Sequence, residues 1–145
     1  ILNHFDQSSM LGMRSISTEI IMSAEIALNL VQTLKSGMGK AFSVKDKDGA
    51  INVFRPVQQK TIELRNINLQ SVFESNETIR IFFLQLYDTI AMHGSITLKC
   101  PISDISEKYE NKIGYQIGSR IYSAHEIFQL ANSDDFDYLS LGTQK

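Results

Sequence analysis

Three histidines, His4, His93 and His125, and one cysteine, Cys100, are the side chains of this 145-residue chain best suited to ligate a transition metal. None lies close to another in sequence, whereas a zinc site needs three or four converging ligands, usually drawn from close pairs. The spacing therefore gives no metal centre. Asp46-Lys47-Asp48-Gly49 opens like a calcium loop but lacks the third early ligand and the closing acidic residue, so a tight turn is expected there. Gly37-Met38-Gly39-Lys40 sets its glycines and lysine too close together to wrap a phosphate, and it follows an expected helix instead of preceding one. Ser95 and Ser119 lack a Gly-x-Ser-x-Gly elbow. Asp134, Asp135 and Asp137 suit a cation, an acid/base pair or plain solvation. His93 is expected to cap carbonyls where a helix ends, and His125 to occupy the exposed first turn of a capped helix. Spacing assembles no nucleophile, base and orienting acid. The sequence leans away from an enzyme, and no cofactor is expected.

The elements that would position these groups are set by length, charge and hydropathy. A chain of this size buries roughly 70% of the surface its unfolded form exposes, so one domain can stand without disulfides or metal. Residues 15–145 are expected to form that single domain, and residues 1–14 an apolar arm carrying Ile1, Leu2, Phe5, Met10, Leu11 and Met13. The net charge of −2 is unevenly divided. Residues 35–65 hold seven basic against three acidic side chains, and residues 73–145 hold six against ten. Such a division suits a basic face toward phosphates or anionic lipid, or simply a solvated hairpin. No stretch reaches the roughly 20 apolar residues of a membrane-spanning helix. The opening ILNHFDQSSM lacks a secretory pattern, and the missing initiator methionine reads as a trimmed chain. An intracellular protein, soluble or peripheral to a membrane, is expected.

Periodicity gives an α+β domain, a mainly antiparallel sheet covered by two main helices and a short C-terminal one. The first helix spans about 16–36 and stops at Gly37 in the usual left-handed position after a helix. Two strands follow around an Asp48-Gly49 turn, with Pro56 ending the second. A third strand covers about 61–73, with a change of phase at Arg65 and Asn66. Ile79, Phe82, Phe83, Leu86, Tyr87 and Ile90 mark a helix over about 77–92, capped by Ser75 or Asn76 and ended by Gly94. Ile96, Leu98 and Cys100 alternate as a strand, 103–111 reads as a short polar helix or turn, and Ile113, Tyr115 and Ile117 alternate as another strand. Ser123-Ala-His-Glu126 has the spacing of a capping box and opens a helix over about 124–131. The acidic end would add a last strand or an ordered tail.

Residues 113–145 resemble the late strand-helix-strand unit of thiamine-phosphate synthase and its TenI-like relatives. The pattern is a strand reaching Gly118, a helix opened by Ser123 and containing Glu126, then Asp137-Tyr138 leading to Gly142, Thr143 and Lys145. The resemblance implies a phosphate-binding enzyme in which Gly142 lines the phosphate turn. It covers under a quarter of the chain, and 145 residues are too few for the roughly 250-residue barrel of that family.

The leading expectation is a non-enzymatic, self-associating adaptor or assembly protein of the viral-matrix kind, a homo-oligomer built on protein–protein contacts. Leu2, Phe5, Met10, Leu11, Ile21 and Leu28 are the candidate self-association residues. Lys40, Lys45, Lys47, Arg55 and Lys60 would face an anionic membrane surface or nucleic acid. The alternatives are the phosphate-binding enzyme and a nucleic-acid-binding module.

Overall fold

The computed structural model describes residues 2–3, 23–69 and 75–132. Its main elements are α1 (Ala24–Ser43), α2 (Lys47–Lys60), a 3-10 helix (Thr61–Asn66), α3 (Asn76–Leu98), a short turn of helix (Ile102–Asp104) that widens to a π turn (Ile105–Tyr109), strands β1 (Gly114–Ile117) and β2 (Arg120–Ser123), and α4 (Ala124–Asn132). The architecture is α+β but mainly helical, and the described residues hold one two-stranded antiparallel sheet.

Helix α1 is opened by Ser23, whose Oγ accepts the Ile26 amide at 3.2 Å. It buries Ala27, Leu30, Val31, Leu34, Met38 and Ala41. Residues 16–22 of the expected first helix lie outside the described residues. At the other end the expectation fails, because α1 passes through Gly37 and Gly39 to Ser43. Gly37 is a notch: a Cβ there would lie 2.6 Å from Val57 Cγ2, so the bare backbone lets α2 approach.

The expected hairpin around Asp48-Gly49 is helix α2. Asp46 opens it, its carboxylate accepting the Gly49 amide at 3.3 Å, and Asp48 complements the positive end of the helix. An aspartate followed by glycine serves an N-cap as readily as a turn, and here the cap prevails. Pro56 does not end a strand; it lies inside α2. The expected third strand is replaced over Thr61–Asn66 by the 3-10 helix, whose i to i+3 repeat buries Thr61 and Leu64. Residues 70–74 lie outside the described residues.

Helix α3 runs through the middle of the core. Ser75 caps it, accepting the Thr78 amide at 3.3 Å, and Ile79, Phe82, Phe83, Leu86 and Ile90 are all fully buried. It too passes through its expected stop. Gly94 is buried where a Cβ would lie 2.7 Å from Ile113 Cδ1 and 3.0 Å from Ile105 Cδ1. The helix ends instead at Lys99, which takes the left-handed conformation (φ 55°), while the Cys100 amide donates to the Ser95 carbonyl. The residues expected as a strand over 96–100 are therefore the last helical turn and its cap. The expected polar helix or turn that follows is present as the Ile102–Tyr109 turns.

Strands β1 and β2 pair with Gly114 opposite Ser123 and Ile117 opposite Arg120, turning at Gly118 (φ 62°) and Ser119. Tyr115, Ile117 and Tyr122 enter the core. The expected capping box is formed: Ser123 Oγ accepts the Glu126 amide at 3.1 Å and Glu126 Oε1 accepts the Ser123 amide at 3.3 Å. The acidic end expected as a strand or tail lies outside the described residues, and the described ones contain no barrel-like β/α repeat.

Lys35 Nζ meets Asp88 Oδ2 at 3.1 Å, and Met92 Sδ is the nearest neighbour of a Cβ at Gly39. Both pairs advance together along the two helices, so α1 and α3 run parallel.

Candidate functional site

The register between α1 and α3 locates a surface that the spacing of residues alone does not reveal. Two turns before Lys35 on the same face stands Leu28, and two turns before Asp88 on the same face stands Ile81. Leu28 is half-buried against the core, while Ile81 and, one turn beyond it, Leu84 remain 41% and 45% exposed. Tyr87 follows after another turn and stacks on Phe128 of α4, with ring centroids 5.2 Å apart; Phe128 is itself 44% exposed. The outer side of α3 thus carries an apolar strip that continues onto α4. The buried stripe of the same helix dominates its periodicity, so the strip has no sequence signal of its own.

Of the other expected self-association residues, Leu2 is half-buried beside the core, and Phe5, Met10, Leu11 and Ile21 lie outside the described residues. The expected basic hairpin is a pair of helices. Lys40 is exposed near the end of α1, Lys45 in the link and Arg55 on the open face of α2, and none has an ion-pair partner among the described residues. Lys60 is paired with Glu63 at 3.1 Å. Lys47 opens α2, and its side chain lies outside the described residues.

A second cluster joins Tyr87, Glu110 and His125. Glu110 Oε1 is 2.6 Å from His125 Nδ1, Glu110 Oε2 accepts the Tyr87 hydroxyl at 3.3 Å, and the His125 amide donates to the Glu110 carbonyl at 2.9 Å. Burial, with the Glu110 charge beside it, raises the Tyr87 hydroxyl above its ordinary value. A carboxylate holding an imidazole by Nδ1 is the base-and-orienter half of an acid/base site. The nearby Ser123 hydroxyl, however, is committed to the capping box. The cluster therefore acts first as a latch that ties the opening turn of α4 to the turn after Tyr109. His125 is in the first turn of its helix as expected, with Glu110 as the partner that sequence could not supply.

His93 does not cap carbonyls. It is fully buried, with Nδ1 2.7 Å from Tyr115 Oη and its ring edge-on to Phe54 at 5.3 Å. A cleft of about 540 Å³ lies beside the turn between the strands, lined by Arg65, Asn68, Gln116, Gly118 and Ser119 among others. Its Gly118 amide is already spent on the Leu64 carbonyl at 3.2 Å. Of the residues carrying the family resemblance, Ser123 and Glu126 form the helix cap, while Asp137, Tyr138, Gly142, Thr143 and Lys145 lie outside the described residues.

Among the described residues no three His, Cys, Asp or Glu side chains are grouped to hold a metal ion, and no helix is long and apolar enough to cross a membrane. No protein-family model matches the chain, and no curated protein or solved structure matches it significantly.

Proposed function

We propose that this chain is a non-enzymatic, self-associating adaptor whose copies meet through the apolar strip of α3 and α4. The observation that carries the reading is the alignment of Ile81, Leu84 and Phe128, each more than 40% exposed, beside the half-buried Leu28. Burying the exposed half of such a side chain contributes roughly 1 kcal/mol, and this contribution works against the cost of holding two copies together. Lys40, Lys45 and Arg55, lacking carboxylate partners among the described residues, leave the α1–α2 side available to an anionic surface.

Sedimentation equilibrium across protein concentration and salt tests the reading. A concentration-dependent dimer or larger species is expected, weakened by Leu84→Lys with little change in melting temperature. A parent chain that stays monomeric at high concentration would overturn it. Co-sedimentation with vesicles containing anionic lipid, compared with neutral vesicles, tests the basic side. Lys40→Glu with Arg55→Glu should reduce any binding seen.

A further inference from the structure

Helix α2 lies across the core without entering it. None of its described side chains is fully buried: Val53, Phe54 and Val57 are half-buried, and Ile51, Asn52, Arg55, Pro56 and Gln59 are exposed. Its polar contacts are local, Lys60 with Glu63 and the Gly49 amide with Asp46, and among the described residues none of its side chains hydrogen-bonds or ion-pairs with α1, α3 or the sheet. The helix is held by apolar fit, at the Gly37 notch that receives Val57 and at Gly49, where a Cβ would lie 3.4 Å from Val44 Cγ1. Pro56 weakens its internal ladder, having no N–H to donate to the Asn52 carbonyl. Helices α1 and α3, by contrast, bury continuous stripes and share the Lys35–Asp88 pair. Local opening begins where buried contacts are fewest, which here is α2.

What α2 covers is polar. Phe54 stands edge-on to His93 at 5.3 Å, and His93 Nε2 is buried with no hydrogen-bond partner among the described residues. Since Nδ1 is engaged by the Tyr115 hydroxyl, a neutral imidazole leaves Nε2 an unmet donor in one tautomer and an unmet acceptor in the other. An unmet buried polar group carries a desolvation cost that water at the same atom removes. We propose that α2 is a lid that lifts from α1 as a unit and lets water reach the His93 imidazole while the rest of the core stays folded. The two ends of the lid are unlike. Thr61, just past its C-terminal end, is fully buried, and its carbonyl accepts the Asn3 carboxamide at 3.2 Å. The N-terminal end follows a short link, residues 44–46, that is extended at Val44 and Asp46. The lid therefore pivots near Lys60 and swings at its N-terminal end. Lifting exposes chiefly the half-buried Val53, Phe54 and Val57 and hydrates Nε2 in return, so it requires less free energy than global unfolding. It turns the His93–Tyr115 pair from a sealed part of the core into a polar site reached from the α2 side.

The test uses the full chain. Carbethoxylation by diethyl pyrocarbonate, read at His93 by peptide mass spectrometry, reports access to the imidazole. The rate at His93 should stay nearly constant at low urea, because lifting α2 exposes far less surface than global unfolding. A bridge then tests whether α2 is the element that moves. A Cβ at Gly37 would lie 3.5 Å from Val57 Cβ, within the reach of a disulfide, so Gly37→Cys with Val57→Cys in a Cys100→Ser chain ties α2 to α1 on oxidation. The oxidised chain should be modified at His93 about tenfold or more slowly than the same chain reduced. A parent rate that rises with urea as steeply as global unfolding overturns the lid, as does a rate equal in the oxidised and reduced forms. The urea measurement needs no substitution, so it decides the matter even where the bridged chain fails to fold.

Discussion

The Nδ1 of His93 and the hydroxyl oxygen of Tyr115 lie 2.7 Å apart, and both residues are fully buried between α3, α2 and β1. The other ring nitrogen, Nε2, is buried with no hydrogen-bond partner among the described residues. This is a polar pair within the core, and it couples the central helix to the sheet. Burial holds the imidazole at about 4, below its ordinary 6.5, and pushes the Tyr115 phenol well up, so both are neutral near pH 7.

Stability should therefore depend on acid in a defined window. The unfolded chain takes up a proton at His93 as pH falls through 6.5, while the native state resists until about 4. Between those values the unfolded state binds more protons, so stability rises with pH and is complete above the upper limit. Loss of roughly 3 kcal/mol from pH 7 to pH 4 is the size set by this one group. Urea unfolding at pH 7, 5.5 and 4 checks it, with His93→Gln expected to flatten the slope in that window.

Removing both members of the pair should cost less than the two single removals added together. Tyr115→Phe leaves His93 Nδ1 without its partner, in addition to the orphan Nε2, and a destabilisation of about 1–3 kcal/mol is expected. His93→Phe alone strands the Tyr115 hydroxyl in the same way. The double substitution removes every polar atom of the pair and should be less destabilising than the sum of the two single changes. Chemical denaturation of the four chains completes the cycle, and strict additivity would show that the two groups do not interact.

How much of this was legible in the sequence depended on whether a local signal had a local cause. Ser75, and the Ser123-to-Glu126 box, cap helices as their spacing indicated, because a side-chain oxygen reaching an amide three residues on is a local event. Gly37 and Gly94 misled, since a glycine after an apolar helix looks like a terminator when its actual partner, Val57 or Ile113, is remote in sequence. That error turned helix ends into strands. Asp46, Asp48 and Gly49 misled because turn and N-cap chemistry use the same residues. The surface strip, and the hydrogen bonds that tie the buried Asn3 carboxamide to the backbone of Gln116 and Thr61, were illegible for a further reason: each depends on the register between elements, which no window of sequence contains.

The two kinds of glycine should respond in opposite directions to alanine. Gly39 lies inside α1, where the nearest atom to an added Cβ is Met92 Sδ at 3.9 Å, an ordinary contact. Gly39→Ala gains helix propensity without a clash and should stabilise by about 0.5–1 kcal/mol. Gly118 has a φ of 62°, and its Cβ would lie 2.6 Å from the Ile67 carbonyl oxygen, which is backbone and cannot swing aside. Gly118→Ala should destabilise by at least about 1 kcal/mol. Melting temperatures of the two variants decide the matter, and a destabilised Gly39→Ala would contradict the ordinary contact assigned to its Cβ.

The start of α4 offers a sharper test of the elements around the hairpin. Glu126 has two roles: Oε1 accepts the Ser123 amide at 3.3 Å, and Oε2 meets Arg120 Nη2 at 2.5 Å. Arg120 is mostly buried, and its guanidinium also lies 4.5 Å from the centre of the Tyr122 ring. Ser123→Ala removes only the cap and should cost about 1 kcal/mol. Glu126→Gln keeps an acceptor for the Ser123 amide but removes the charge that Arg120 faces, leaving the Tyr122 ring as its partner among the described residues. Losing one partner of a mostly buried pair costs more than losing an exposed one, so Glu126→Gln should exceed Ser123→Ala in its effect. Unfolding measured in urea at low and high salt separates the two: the Ser123→Ala loss should be insensitive to salt, and the Glu126→Gln loss should shrink as salt screens the pair in the parent chain.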